Sequence, residues 1–389
     1  MMEPTVRFPE FKDSWNNYKI EDMFDRVGTP VDLDDTQTYR EIGIRSHGKG
    51  IFHKEETTAT EIGNKRVFWV EPDCFVVNIV FAWERAVAKT TEKENGMIAS
   101  HRFPMYKPKK DIVDLDYITE YFITKRGQNV LILASPGGAG RNKTLGQKEF
   151  AKSVVKLPSL PEQQKIAEFL STIDTVIEKQ KETVSAWEER KKGVMQKLFS
   201  QEVRFKADDG SDFPDWEKKK IGDVFDVTRG YVLPVKKTRE VSDNEYKYPV
   251  YSSQTKNNGL MGFYNQKLYE NAITWTTDGA NAGKTVYRNE EFYCTNVCGV
   301  LLDKKGNHNA NDCIANMIDT ISKKYVSYVG NPKLMNNVMS EIEIDFPCPE
   351  EQQKIADCLS SLDEVIEKQK AILAVWEELK KGLLQQMFV

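Results

Sequence analysis

Two loops in the first half of this 389-residue chain carry side chains suited to a polyanion. In Ile42 to Lys54, IGIRSHGKGIFHK, glycines punctuate Arg45, His47 and Lys49; in Ser135 to Lys148, SPGGAGRNKTLGQK, a Gly-rich run precedes Arg141, Asn142 and Lys143. Glycine lets a backbone approach a ligand closely, Arg and Lys reach phosphates, and Arg, Lys and Asn match the acceptors and donors of base edges. Between Tyr121 and Leu157 the basic residues Lys125, Arg126, Arg141, Lys143, Lys148, Lys152 and Lys156 face one acid, Glu149, a local +6 in a chain of net charge −4. The second half offers amides instead. Tyr248 to Asn265 sets Gln254, Lys256, Asn257 and Asn258 in a turn between aromatic, strand-like flanks, and WTTDGANAGKTVYR, Trp275 to Arg288, does the same with Asn281 and Lys284. Taken singly, each is equally an ordinary solvated loop or, for Asn, a plain turn.

Catalytic chemistry finds little support. Gly279 to Thr285, GANAGKT, has three residues between its glycines where a phosphate-binding loop needs four, and Gly137 to Thr144 lacks the GKT ending. The four histidines, His47, His53, His101 and His308, show no HxxxH or HxE spacing, so no zinc site is expected. There is no Pro-Pro dipeptide, which excludes the (Asp/Asn)-Pro-Pro-aromatic motif of amino-methyltransferases, and no GxSxG. The six cysteines, Cys74, Cys294, Cys298, Cys313, Cys348 and Cys358, lack CxxC spacing and read as buried free thiols of a reducing cytoplasm. No apolar run approaches a membrane span, and MMEPTVRFPEF has no charged-then-apolar leader.

The elements that must position these loops are announced by an internal repeat. Glu162 to Phe199 returns as Glu351 to Phe388 at an offset of 189, with 23 of 38 positions identical. Apolar residues recur with heptad spacing at Ile166, Leu170, Ile173, Ile177, Val184 and Trp187, and in the second copy at Ile355, Leu359, Leu362, Ile366, Leu373 and Trp376. Gln180 with Gln369 and Lys191 with Lys380 are polar seam positions, which restrict register. Pro161 and Pro349 suit a first helical turn, acids follow at the positive dipole end, and Ser159 with Glu162 has capping-box spacing. Two such similar seams in one chain predict that the helices pair with each other. Only Ser200 to Asp212 leads out of the first helix, so the second must start beyond it and run back, antiparallel.

Each lobe opens alike: WNNYKIEDMFD, Trp15 to Asp25, and WEKKKIGDVFD, Trp216 to Asp226, are in register at an offset of 201. Beyond this opening the lobes do not align. The chain is therefore divided into residues 1–159, a first globular lobe; 160–200, a first long helix; 201–348, a second lobe; and 349–389, a second long helix. The first lobe shows strand-like runs at Val67 to Val70, Phe75 to Val80 and Val130 to Leu133 and a short helix at Leu115 to Thr124; the second is strand-rich. The expected class is α+β, two globular lobes with an antiparallel coiled coil.

The LPxLPEQQKIA start of the helix, its DxVIEKQK and WEExKKGxxQ continuation, the FPDW opening of the second half and the duplication itself resemble the specificity subunits of type I restriction-modification systems. The resemblance spans the chain but is specific mainly in the helices and lobe openings. It implies a non-catalytic chain whose lobes each read half of a bipartite, asymmetric site in double-stranded DNA, and whose helices set the spacer. It implies as partners two modification subunits that bind S-adenosylmethionine and methylate adenine, and up to two restriction subunits that use ATP and Mg, with no cofactor on this chain. No base-contacting residue transfers by motif, so Arg45, His47, Lys49, Arg141, Asn142, Lys143, Gln254, Lys256, Asn257, Asn258, Asn281 and Lys284 are chosen on loop chemistry. A coiled-coil protein-interaction hub is the alternative, and it leaves the basic loops without a role.

Overall fold

A computed structural model describes residues 4–137, 143–253, 257–306 and 308–388. The heptad segments form two uninterrupted helices, Leu160–Phe199 and Pro349–Met387. Their apolar positions turn inward: Ile166, Leu170, Ile173, Ile177 and Val184, and likewise Ile355, Leu359 and Ile366, are buried. Leu362, Leu373, Trp187 and Trp376 are half-buried. An indole is too large for a narrow seam to cover fully.

The chain divides into two compact units, each holding half of both helices: residues 1–181 with 371–389, and residues 182–370. Within the first unit Lys380 bonds Asp174 at 2.8 Å and Lys181 approaches Glu377 at 4.0 Å. Numbers rise along one helix as they fall on the other, so the segments are antiparallel. Within the second unit the same pairs recur 189 positions away, Lys191 with Asp363 at 2.6 Å and Lys370 with Glu188 at 3.0 Å. Both seam lysines thus meet an aspartate, which fixes the register of an antiparallel coiled coil more than it stabilises it.

The lobes share a frame. In the first, strand Asn16–Lys19 pairs antiparallel with Val154–Leu157, a helical turn Ile20–Met23 follows, and Phe24–Val27 pairs with Met105–Pro108. In the second, Glu217–Lys220 pairs with Glu343–Phe346, the turn is Ile221–Val224, and Phe225–Arg229 pairs with Cys298–Asp303. The closing strands are preceded by short helices, Gln147–Lys152 and Asn336–Glu341. One backbone bond recurs at the join: Ile20 N–H donates to Ser153 at 3.0 Å, and Ile221 N–H to Ile342 at 2.9 Å. Each lobe also has a helix with an Asx cap, Leu115–Ile123 behind Asp114 and Asp312–Ser322 behind Asn311.

The identical Glu-Gln-Gln triplet docks each lobe on its helix. Glu162, 1% exposed, accepts from Arg7 Nε at 2.7 Å and Nη2 at 2.9 Å. Glu351, fully buried, accepts from Arg204 Nε at 3.1 Å and Nη2 at 2.8 Å and from Trp216 Nε1 at 2.7 Å. Gln163 donates to the carbonyls of Ile112 and Pro158 at 3.0 Å, and Gln352 donates to Pro347 at 2.9 Å and accepts from Asn311 at 2.7 Å.

Inside the frame the contents differ. The first lobe has two four-stranded sheets, one ordered Phe24–Val27, Met105–Pro108, Phe75–Val77, Val87–Lys89 and one ordered Ile51–Thr58, Thr38–Ile44, Ile98–Ser100, Val67–Trp69. Phe24, Phe75, Tyr106, Phe122 and Phe150 fill its core with ring centroids 5.0 to 6.5 Å apart. The second lobe has one six-stranded sheet, ordered Phe225–Arg229, Cys298–Asp303, Tyr269–Thr276, Thr285–Cys294, Tyr248–Tyr251, Leu260–Tyr264. Trp275 is buried at its centre against Gly299, where any Cβ would lie 2.2 Å from the indole.

Two local expectations need correction. Val130 to Leu133 is not a strand but the end of helix Lys125–Leu133: the Thr124 hydroxyl caps it by accepting from Gly127 N–H at 3.2 Å, and Gly127 and Leu131, four apart, are its buried face. A short apolar run does not by itself separate the two. The run from Phe75 is strand only to Val77, because Asn78 Oδ1 accepts from Val80 N–H at 3.1 Å and turns the chain.

Candidate nucleic-acid interface

The Arg45 loop joins strands Thr38–Ile44 and Ile51–Thr58, whose register closes at Ile44 opposite Ile51. Arg45 N–H donates to Gly50 at 3.0 Å, His47 N–H to Glu84 at 2.7 Å and Gly48 N–H to Arg85 at 2.9 Å, so the backbone is held from both sides. Gly48 has φ +66° and lies against Ile123, which a Cβ would meet at 2.7 Å, so glycine is required there. With the backbone anchored, Arg45, His47 and Lys49 are all exposed. Arg45 stacks on Phe52 at 4.7 Å and donates from Nη1 to the Ile51 carbonyl at 3.3 Å, which together limit its rotamers. The three are brought together as a braced tip with two cations.

Of the second basic loop, Arg141 and Asn142 lie outside the described residues, and Lys143 is half-buried. Leu145 N–H to Ile79 and Gly146 N–H to Ala134, both 2.8 Å, fasten the chain just after it.

In the second lobe Gln254 and Lys256 lie outside the described residues, while Asn257 and Asn258 are exposed with φ of +50°, a left-handed conformation that Asn tolerates. Asn258, Asn281 and Lys284 line one cleft of about 210 Å³ with Ser252, Thr276 and Arg288. Lys284 is not a free cation, since its Nζ lies 2.7 Å from Asp319. The GANAGKT loop spends its amides internally: Gly279 donates to Pro332, Gly283 to Thr276, Lys284 to Asn281, and Thr285 to the Asp319 carboxylate. It cannot cradle a phosphate in the manner of a nucleotide-binding loop.

Arg288 escaped the sequence reading. It is 8% exposed, its guanidinium 3.6 Å from the Tyr251 ring centroid, with Nε donating to Thr274 Oγ1 at 3.2 Å and Nη2 to the Asn258 carbonyl at 2.6 Å. Burial pushes the Tyr251 hydroxyl up to about 12, and that hydroxyl donates to Glu290. A signal was present: Val286, Arg288, Phe292 and Cys294 fall at alternate strand positions, so a buried cation sits in a largely apolar row whose remaining member, Glu290, is exposed. Among the described residues no His, Cys, Asp and Glu cluster could hold a metal, and no helix is long and apolar enough to cross a membrane.

The family model of the type I restriction modification DNA specificity domain matches twice, over residues 12–185 and 214–376. The chain belongs to this family. Among its relatives are two Mycoplasma pneumoniae proteins provisionally named type I specificity subunits. S.MpnORF285P is 38% identical over 158 residues, covering 40% of this chain and 50% of its own length; S.MpnORF289P N-terminus is 40% identical over 145 residues, covering 36% and 75%. The specificity subunit of the M. pneumoniae type I restriction enzyme MpnII is 33% identical over 161 residues, 40% of this chain and 46% of that one. The chain thus spans about half the length of several curated relatives it matches. The crystal structure of a type I restriction-modification S subunit from M. genitalium superposes with a TM-score of 0.60 at 15% identity, covering 100% of this chain and 99% of that one. At that identity the superposition speaks for the specificity-subunit fold alone.

Proposed function

We propose that the chain is the DNA-reading subunit of a type I restriction-modification complex, each lobe reading one half of a bipartite, asymmetric duplex site. The helices, 40 and 39 residues long and so about 60 Å each, set the spacing of the half-sites and dock two modification subunits. Up to two restriction subunits complete the cytoplasmic assembly. In this reading the chain has no catalytic group and no cofactor: S-adenosylmethionine belongs to the modification subunits, and ATP and Mg to the restriction subunits.

One observation carries the reading. A single frame, built twice, encloses two different sheet arrangements, and each lobe presents exposed cationic or amide loops. An asymmetric two-part target requires two such unlike readers on a common support. The test is co-expression with its modification subunits in a host free of adenine methylation, followed by mapping of methylated adenines. Two short half-sites around an unread spacer are expected, and the purified complex should lose affinity for duplex linearly in log salt as counterions are released. Salt-independent association and no methylation would mark a protein-interaction hub and reject DNA reading.

A further inference from the structure

The second lobe buries a cation that forms no direct ion pair among the described residues; the Glu290 carboxylate, which accepts from the Tyr251 hydroxyl, offsets its charge only at longer range. This cation is Arg288, and its hydrogen-bonding and stacking partners are neutral, namely Thr274 Oγ1, the Asn258 carbonyl and the Tyr251 ring. Lys284, in the same cleft, is already taken by Asp319. A buried charge without a contacting counterion is costly, and an anion entering the cleft would relieve that cost. The rest of the lining supplies neutral donors. Ser252 Oγ accepts from Thr295 at 2.9 Å and so keeps its own proton to give, and the Thr276 hydroxyl and Asn281 amide stand half-buried beside it.

Two magnitudes select the anion. At about 210 Å³ the cleft is smaller than the roughly 300 Å³ at which sites for whole small molecules begin, so a nucleotide does not fit but a phosphate does. Base edges lie at the floor of a major groove about 8.5 Å deep, out of reach of a cation itself recessed, whereas backbone phosphates stand at the rim. We propose that the Arg288 cleft seats one DNA backbone phosphate, a contact that reads no sequence and fixes the register of the second lobe on the duplex. This rests on the chain being a DNA reader. Free inorganic phosphate shares the chemistry and is the competing source.

The experiment compares the assembled complex carrying wild-type chain, Arg288→Gln or Asn281→Asp. The second variant places a carboxylate in the cleft without removing the stacked arginine, and so remains informative if Arg288→Gln fails to fold. Binding to cognate and unrelated duplexes is measured across a salt series, methylated motifs are mapped, and thermal melting is followed with and without inorganic phosphate. Both variants should weaken all duplexes alike, by about tenfold, lower the salt slope by about one, and leave the methylated motif unchanged. Relaxation at a single base position would overturn the proposal in favour of base reading. An unchanged slope, with phosphate raising the melting temperature of wild type only, would make the cleft a free-phosphate site and also overturn it. If the wild-type complex itself binds duplex without salt dependence, DNA reading falls first and this inference with it.

Discussion

The two lobes differ in the sheets they enclose and agree where they close on the helices. Both open with a strand, a helical turn and a strand, and both close with a short helix and a strand paired to the opening one. Between these points the first lobe folds two four-stranded sheets and the second a single six-stranded sheet. Each also stacks an arginine on an aromatic ring, but Arg45 does so exposed at a hairpin tip and Arg288 does so buried in a cleft. A frame that fastens its own ends tolerates replacement of what lies between, because the pairing of opening with closing strand and the ion pairs of Glu162 and Glu351 make no use of the enclosed sheets. Modularity is therefore a property of the closure.

Exchange of one lobe's contents has the largest expected effect. Replacing residues 28–152 with the corresponding content of a relative keeps the ribbon, its join at Ile20 and Ser153, and the docking of Glu162. The methylated motif should change completely in one half and not at all in the other. Changes in both halves would show that the enclosed sheets are not independent readers.

Next in size are the docking carboxylates. Removing one partner of a buried ion pair leaves the other charge stranded, typically at about 3 to 5 kcal/mol. Both arginines keep some exposure, 16% for Arg7 and 22% for Arg204, so Glu162→Ala should cost about 3 kcal/mol. Glu351→Ala should cost about 1 kcal/mol more, because Trp216 Nε1 also donates to Glu351 while its counterpart Trp15 Nε1 is buried without a partner. Urea midpoints of the two variants, followed by tryptophan fluorescence, check the order; equal losses would show that the indole bond adds nothing.

The exposed loops give smaller, sharper differences. Lys49→Ala should weaken every duplex alike and lower the salt slope by about one, whereas Arg45→Ala should relax one base position by about 1 to 3 kcal/mol. Lys284→Ala should leave the slope unchanged, because Asp319 already holds that charge. Isotherms at several salt concentrations decide it. A Lys284 effect as large as that of Lys49 would mean the ion pair opens on binding.

The helices, their antiparallel pairing and the common lobe opening were legible because they are local and repeated: heptad spacing survives at Ile166 to Ile177 and Ile355 to Ile366 whatever surrounds it. The shared closure was not. Gln147–Lys152 and Asn336–Glu341 occupy equivalent places with almost no identity, since a short helix needs only one buried residue, Phe150 or Met339, to sit correctly. The loop around Arg45 drew notice because its glycines and cations are adjacent in sequence. Arg288 did not, because its cleft gathers Ser252, Asn258, Thr276 and Asn281 from three separate turns and strands, and tertiary pairing alone brings them together. The Lys284–Asp319 pair was hidden for the same reason, its members lying 35 residues apart.

The subtlest comparison is a titration that both units repeat. Beside each seam lysine lies an acid from the lobe helix, Glu120 near Lys380 and Asp312 near Lys191. Burial raises the Glu120 carboxyl above its ordinary 4.5, opposed by Lys380 and reinforced by Asp174 and Asp116; burial and then Asp363 raise Asp312 above 3.8, opposed by Lys191. An acid with a raised folded value binds its proton more tightly folded than unfolded. Its contribution to stability is therefore fully present below the ordinary value and is lost as pH rises through the raised one. This runs against the usual acid denaturation of paired carboxylates, so it should show as a difference between variants and not as an absolute trend. Glu120→Gln removes the cost of ionising a buried group and should stabilise the chain relative to wild type at neutral pH, with the advantage shrinking as pH falls toward 4.5. Asp312→Asn should behave alike but more weakly, because that side chain is less buried and also favours the start of helix Asp312–Ser322 as an anion. Denaturant midpoints from pH 4 to 8 for wild type and both variants provide the check. A Glu120→Gln difference that does not vary with pH would mean that Lys380 fully compensates the burial of that carboxylate.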